Sequence, residues 1–280
     1  VCKVAVIGNC QAEQLIKIIN SATNQIFVYD LPANYLATEG HRDAFEDVYR
    51  QADVIFIQHT PGAAVRRFCQ HSYAREVAGN VFVWPNVYFD GYSPDISYLR
   101  AGGVIVPGPI GGYHSKFIRE KFLEGRAIEE AIDLYSGPSY ADAYGGSFAR
   151  SLDALRAREQ ECDVAVSNII EEHARGTKLF LTPNHPTNFV LSLMLSELCH
   201  LAGIHLATKD AAIPGINDLT IPANPYLLQR EGCTFADPDG FIAKMPTGDF
   251  VTFSQADIIR GFYEIYQGMD REHLQNGVSV

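Results

Sequence analysis

The residues of this chain whose types and spacing could do chemistry begin at a turn, Gly8-Asn9-Cys10-Gln11. The turn follows the apolar run Val4-Ala5-Val6-Ile7 and precedes Leu15, Ile18 and Ile19, which have helical spacing. A thiol at the start of a helix lies at the positive end of the helix dipole, among free backbone N–H groups. Both effects favour thiolate, the nucleophilic form, and the same N–H groups can stabilise an oxyanion. Gly8 is expected to permit the tight turn, and Asn9 and Gln11 to add amide donors. The competing reading of Cys10 is a small buried filler, a common fate of free cysteine.

His185 is the matching base. It stands in Thr182-Pro183-Asn184-His185-Pro186-Thr187-Asn188, between an expected strand and an expected helix. With Pro186 in the first helical turn, its imidazole would stay on the loop side, able to deprotonate Cys10 or an incoming hydroxyl. Asn184 or Asn188 would orient the ring. His59, at the end of a third strand pattern, is the alternative base or donor. A glycine pair precedes Tyr113, His114, Ser115, Lys116 and Arg119, a turn into a helix with the makings of a phosphate cradle. Aromatic residues crowd Trp84 to Tyr92, where Asn86 and Tyr88 are candidates to hold an adenine or a sugar. No HxxxH, HExxH or CxxC pattern occurs, so no metal site is expected.

The elements that must position these residues alternate over the first hundred positions. Val4–Ile7, 25–29, 53–57 and 81–84 read as strands, with helices near 12–20 and 45–51 between them. Thr60-Pro61 reads as an N-cap followed by a first-turn proline. Such alternation predicts an α/β fold, a small parallel sheet flanked by helices. Ligands of such sheets bind beyond the carboxyl ends of the strands. After about residue 93 the pattern becomes mainly helical: 115–123, 127–135, one long helix over 148–170, one after Pro186 through Leu201, and a last one over 258–266 behind the capping box at Ser254. Positions 208–248 are rich in Pro, Gly, Asn and Asp and read mostly as loop, and the last residues as frayed. The expected division is an α/β subdomain over 1–110 and a mainly helical, cradle-like lobe over 111–280.

Composition narrows the function classes. The 280 residues carry a formal charge of −11, which argues against a general nucleic-acid binder. A local basic cluster can still hold a small anion. No apolar run reaches the ~18 residues of a membrane span, and no basic segment followed by an apolar one marks a secretory signal. The six cysteines form no close pair, which fits free thiols in a reducing, cytoplasmic setting.

Two family resemblances rest on these residues. Strand-Gly8-Asn9-Cys10 resembles the first block of SGNH (GDSL-type) hydrolases, with Asn9 for its aspartate and Cys10 for its serine. His185-Pro186 resembles their late aspartate-x-x-histidine-proline block, with Thr182 where the aspartate would stand. The closer resemblance is to the WcbI-type capsular polysaccharide biosynthesis family, through Gly8-Asn9-Cys10-Gln11, Asn184-His185-Pro186-Thr187 and overall length. That resemblance implies an α/β subdomain joined to a helical cradle that binds coenzyme A, and acetyl transfer to a capsule sugar. It places Cys10 and His185 in the catalytic positions; Asn9, Gln11 and His59, read from the turn and the third strand end, are the further catalytic candidates. Gly8, Asn86, Tyr88, Tyr113, His114, Ser115, Lys116, Arg119 and Asn184 are the candidates for holding coenzyme A. A sugar or glycan is the expected acceptor. An SGNH-like esterase and a non-catalytic glycan- or nucleotide-binding module are the competing functions.

Overall fold

A computed structural model describes residues 1–60, 64–206, 213–276 and 278–279. Along the chain run β1 (Cys2–Ile7), α1 (Cys10–Ala22), β2 (Ile26–Val28), α2 (Arg42–Gln51), β3 (Val54–Gln58), α3 (His71–Val77) and β4 (Val81–Trp84). Then come β5 (Ile96–Ala101), β6 (Val104–Ile105), β7 (Tyr113–Ser115), α4 (Lys116–Leu123), α5 (Ile128–Ser136), α6 (Pro138–Tyr144), α7 (Ser147–Glu159) and α8 (Ser167–His173). The remainder comprises β8 (Phe180–Thr182), β9 (His185–Pro186), α9 (Asn188–Leu201), β10 (Leu219–Thr220), α10 (Pro225–Arg230), β11 (Phe241–Lys244), β12 (Phe250–Phe253), α11 (Gln255–Gln267), α12 (Arg271–Asn276) and β13 (Val278–Ser279). Among the described residues no helix is long and apolar enough to cross a membrane.

Internal contacts gather the chain into two units, neither continuous in sequence. The first holds Val1–Tyr88, Asp153–Glu172 and His185–Ile216, and the second holds Phe89–Leu152, His173–Asn184 and Asn217–Val280.

The first unit is built on a parallel sheet in the order β2-β1-β3-β4. Its central strands are apolar along their length because helices cover both faces. Every residue of β3 and the last four of β1 are buried. Phe45, Val48 and Tyr49 of α2 pack with Ile7, Ile57 and Phe68 in one cluster. On α1 the stripe Leu15, Ile18, Ile19 and Ala22 is buried, and α1 packs on α9. The strand order reverses between β1 and β3. A sheet of this kind opens a crevice at the carboxyl ends of the two strands flanking such a switch.

The second unit is mainly helical around an apolar core that includes Phe117, Ile118, Tyr135, Tyr140, Phe262 and Tyr266. It also carries two antiparallel sheets, β10-β11-β12 and one centred on β5, which pairs with β6, β7 and β13.

Four local expectations are corrected. The long helix over 148–170 is two helices. The Glu159 carboxylate at the end of α7 accepts the N–H groups of Val166 and Ser167 at 2.7 and 2.8 Å and so starts α8 afresh. The segment read as loop over 208–248 holds β10, α10 and β11 among its described residues, because short elements between tight turns leave a composition dominated by the turns. The C-terminal residues form α12, where Leu274 is buried, and β13, where Val278 pairs with Arg100. Pro186 lies in β9 and not in a helical turn, since Thr187 is the N-cap of α9. Pro61, expected to open a helix, falls outside the described residues.

Candidate functional site

Gly8 ends β1 for a reason different from the one expected. It is absent from the described glycines with left-handed backbone. A Cβ there would lie 2.8 Å from Cζ2 of Trp84, 3.0 Å from Cβ of Gln58 and 3.1 Å from Cβ of Ala12. Close approach of β4 and β3 side chains, not turn geometry, requires the glycine.

Beyond it, the carboxamides of three strand ends form a network. The Asn9 side chain is the N-cap of α1 and accepts the Gln11 N–H at 2.9 Å. Gln58, at the end of β3, accepts the Asn9 main-chain N–H at 3.1 Å and donates through Nε2 to Gln11 Oε1 at 3.1 Å and Asn9 Oδ1 at 3.3 Å. Asn86, just past β4, accepts from Asn9 Nδ2 at 3.4 Å. Gln11 is fully buried and locked onto the backbone: its Nε2 donates to the Val87 carbonyl at 2.8 Å and its Oε1 accepts the Val87 N–H at 3.2 Å. Its carboxamide thus holds the 86–88 loop. The sequence singled out Asn9, Gln11 and Asn86 and put Gln58 on the same strand-end edge without giving it a role.

Cys10 opens α1 and is half-buried. Burial pushes its thiol up, and the Glu13 carboxylate adds to this; the N–H groups of Gln11 and of Cys10 itself pull the other way. The helix-end effect is therefore present and outweighed, and the expected thiolate gives way to a thiol at neutral pH. His185 is half-buried in β9. Asn188 bonds to Gln14 and to the Ile213 carbonyl, at 2.9 and 2.7 Å, and is no partner of the His185 ring.

His59 sits one residue past Gln58, its N–H donating to the Trp84 carbonyl at 2.7 Å. Its Nε2 lies 3.5 Å from a Glu161 oxygen, and Nε2 of His71 lies 3.8 Å from the same oxygen. Neither His71 nor Glu161 was singled out by the sequence, since the three come from separate segments. In the aromatic stretch Trp84, Val87, Phe89 and Tyr92 are buried core residues. Tyr88 is half-buried, with the Arg158 guanidinium 5.7 Å from its ring centre and Nη2 of Arg158 donating to its carbonyl at 2.6 Å.

The other expected contacts belong to the second unit. Tyr113 donates to Asn184 Oδ1, which also accepts from Thr182 at 3.1 Å. His114 is buried between the Tyr266 hydroxyl at 3.1 Å and the Val106 carbonyl at 3.0 Å, and burial lowers its basicity. Ser115 caps α4, accepting the Ile118 N–H at 3.0 Å, and donates to Asp95. Arg119 is buried and Lys116 exposed. The turn expected to cradle phosphate thus engages His114 and Ser115 with its own unit, and leaves the Lys116 ammonium open to an anion.

A parallel sheet flanked by helices, with a cysteine at the helix start beside its switch point, defines the chain as an α/β protein. The chain belongs to the family of the polysaccharide biosynthesis enzyme WcbI, whose family model matches residues 3–206. It is also similar in fold to the solved structure of WcbI, described as a novel polysaccharide biosynthesis enzyme. That structure is of the native protein without a disulfide bond between coenzyme A and one of its cysteines. The two are 17% identical with a TM-score of 0.82, over 98% of this chain and 92% of the other. No curated protein matches the chain.

Proposed function

We propose that this protein transfers an acetyl group from acetyl-coenzyme A to a sugar hydroxyl in the assembly of a capsular or other surface polysaccharide. The observation that carries the reading is the position of Cys10: first residue of α1, at the switch between β1 and β3. The family name supports the pathway, and the mention of coenzyme A beside a cysteine in the WcbI structure supports the donor.

Two routes fit this site. In the first, Cys10 attacks the thioester, takes the acetyl group and releases coenzyme A thiol. In the second, the sugar hydroxyl attacks the thioester carbonyl directly. His185 then takes the hydroxyl proton and returns it to the departing coenzyme A sulfur as the tetrahedral intermediate collapses. The sequence alone leaned towards the first. The raised Cys10 thiol favours the second, because a thiol is a poor nucleophile. Cys10 then lines the thioester pocket, and the positive end of the α1 dipole favours the oxyanion.

Intact-mass measurement after brief incubation with acetyl-coenzyme A separates the routes. Direct transfer leaves the protein mass unchanged with or without a sugar acceptor, and Cys10→Ala keeps substantial turnover. A gain of one acetyl group that Cys10→Ala abolishes establishes the covalent route. Coenzyme A at a hundredfold over its dissociation constant adds about 2.7 kcal/mol of stability. No thermal shift under saturating coenzyme A would sink the whole reading, and acetate release from an acetylated glycan without coenzyme A would favour an esterase.

A further inference from the structure

We infer that His59, His71 and Glu161 form a binding site for a divalent transition metal of the zinc type, beside the carboxyl end of β3. One donor atom from each lies within 4.8 Å of the others. Zinc bonds of about 2.0–2.2 Å to nitrogen and oxygen place tetrahedral ligand atoms about 3.3–3.6 Å apart. The two imidazole-to-carboxylate separations, 3.5 and 3.8 Å, are close to that edge. They are too long for charge-assisted hydrogen bonds, which run about 2.7–2.9 Å. Two imidazoles and one carboxylate converging at this spacing suit a metal better than they suit one another. Imidazole with carboxylate selects zinc and its first-row neighbours over magnesium or calcium, which take oxygen ligands.

The segments carrying the donors are fastened together, as a preformed site requires. His59 is tied to β4 through its N–H on the Trp84 carbonyl. Asp163, two residues past Glu161, accepts the Val83 N–H at 2.6 Å, and its own N–H donates to the Val83 carbonyl at 2.8 Å. Arg75 of α3 donates to the same Asp163 carboxylate at 2.8 and 3.0 Å, which fixes the helix that His71 opens. The imidazoles are each 15% exposed and Glu161 is 68% exposed. The site is therefore walled on the protein side and open on the carboxylate side. Three protein donors leave a fourth position to water or a ligand oxygen. His71 Nδ1 is buried with no hydrogen-bond partner, so a metal on Nε2 supplies an anchor that the ring otherwise lacks. The ion would tie the end of β3, and with it Gln58, to α3 and the 161–163 segment.

The test titrates the full chain with Zn²⁺ by calorimetry and with Co²⁺ by visible absorption. One ion per chain is expected, with Co²⁺ ligand-field bands and no thiolate charge-transfer band. Zn²⁺ should raise the melting temperature. Glu161→Gln changes an exposed side chain and leaves the fold intact; it should weaken binding by at least about tenfold and remove the thermal shift. His71→Gln should do the same, with circular dichroism confirming its fold. Absence of binding, equal affinity in Glu161→Gln and the unaltered chain, or thiolate bands showing that cysteines hold the ion would each overturn the inference.

Discussion

Oε1 of Gln58, at the end of β3, accepts the main-chain N–H of Asn9, just past the end of β1, at 3.1 Å. One side chain therefore joins two neighbouring strand ends where the sheet reverses its order. The same carboxamide donates to Gln11, and Gln11 pins Val87 beyond β4. Three loops of the candidate site are thus held by carboxamides that bear no charge and need no counter-ion. Such a frame can meet a thioester or a sugar without first shedding a tightly hydrated ion.

Replacing Gln58 by Met keeps the volume and removes its side-chain bonds to Asn9 and Gln11. The Asn9 N–H and Gln11 Oε1 lose a partner in a part-buried or buried setting. An unsatisfied buried polar group costs about 1–3 kcal/mol. Urea denaturation of Gln58→Met should show a loss in that range, with an unchanged slope. A loss within measurement error would mean that water replaces the carboxamide.

Gly8→Ala places a methyl 2.8 Å from Trp84, a distance that real Cβ contacts essentially never show, and 3.0 and 3.1 Å from Gln58 and Ala12, which is tight. Overpacking of this sort costs about 1–3 kcal/mol. Trp84 is the single tryptophan of the chain, so its emission reports the strain directly. A shifted emission maximum with reduced stability is expected; an unshifted spectrum at full stability would contradict the steric account.

The sheet was legible because its strands are short apolar runs separated by helical spacing, as in Val4–Ile7 and 53–57. Its carboxyl edge followed from topology, which is why Cys10, Asn9, Gln11, His59 and Asn86 were found together. Gln58 was placed on that edge but given no role, because a glutamine at a strand end carries no pattern of its own. The convergence of His71 and Glu161 on His59 is set by tertiary packing of three distant segments, which spacing along the chain does not encode. The charge state of Cys10 depended on a balance between dipole and burial, and burial is invisible before the fold is known. The turn at 111–119 read as a helix entry, while strand pairing of Tyr113 with Tyr98 drew His114 and Ser115 into the second unit's interior.

Cys10 should react slowly with iodoacetamide at pH 7, because burial and then Glu13 raise its thiol above the usual value of 9.0. The rate, followed by mass spectrometry of the Cys10 peptide, should rise only above pH 9. Glu13→Gln removes one of the raising charges, so the profile should move to lower pH. Rapid alkylation of the unaltered chain at pH 7 would restore the thiolate and with it the covalent route.

Asp95 is buried in the second unit and accepts hydrogen bonds from Ser115 and Tyr140. Burial pushes its carboxyl up to about 6 from 3.8, partly opposed by those two donors. Between these values the folded chain binds more protons than the unfolded one, so stability falls as pH rises from about 4 to about 6. Asp95→Asn should remove this slope from the pH profile of the denaturation midpoint. If the variant and the unaltered chain keep the same slope, the proton is held elsewhere.

Lys178 and Asp237 form a buried pair in the second unit, with Nζ 2.5 Å from Oδ1 and both side chains nearly inaccessible. Nζ also donates to the Ile221 carbonyl at 2.8 Å, and Asp237 Oδ2 accepts the Ala223 N–H at 2.6 Å. Lys178→Met leaves the Asp237 carboxylate buried without its cation, held by the Ala223 N–H, and breaking a buried pair from one side costs about 3–5 kcal/mol. Neutralising the partner as well, in Lys178→Met with Asp237→Asn, keeps an acceptor for Ala223 and removes the stranded charge. The double variant should therefore be more stable than the single one, by chemical denaturation at pH 7. The reverse order would show that the carboxylate's bond to the Ala223 N–H outweighs the cost of its stranded charge.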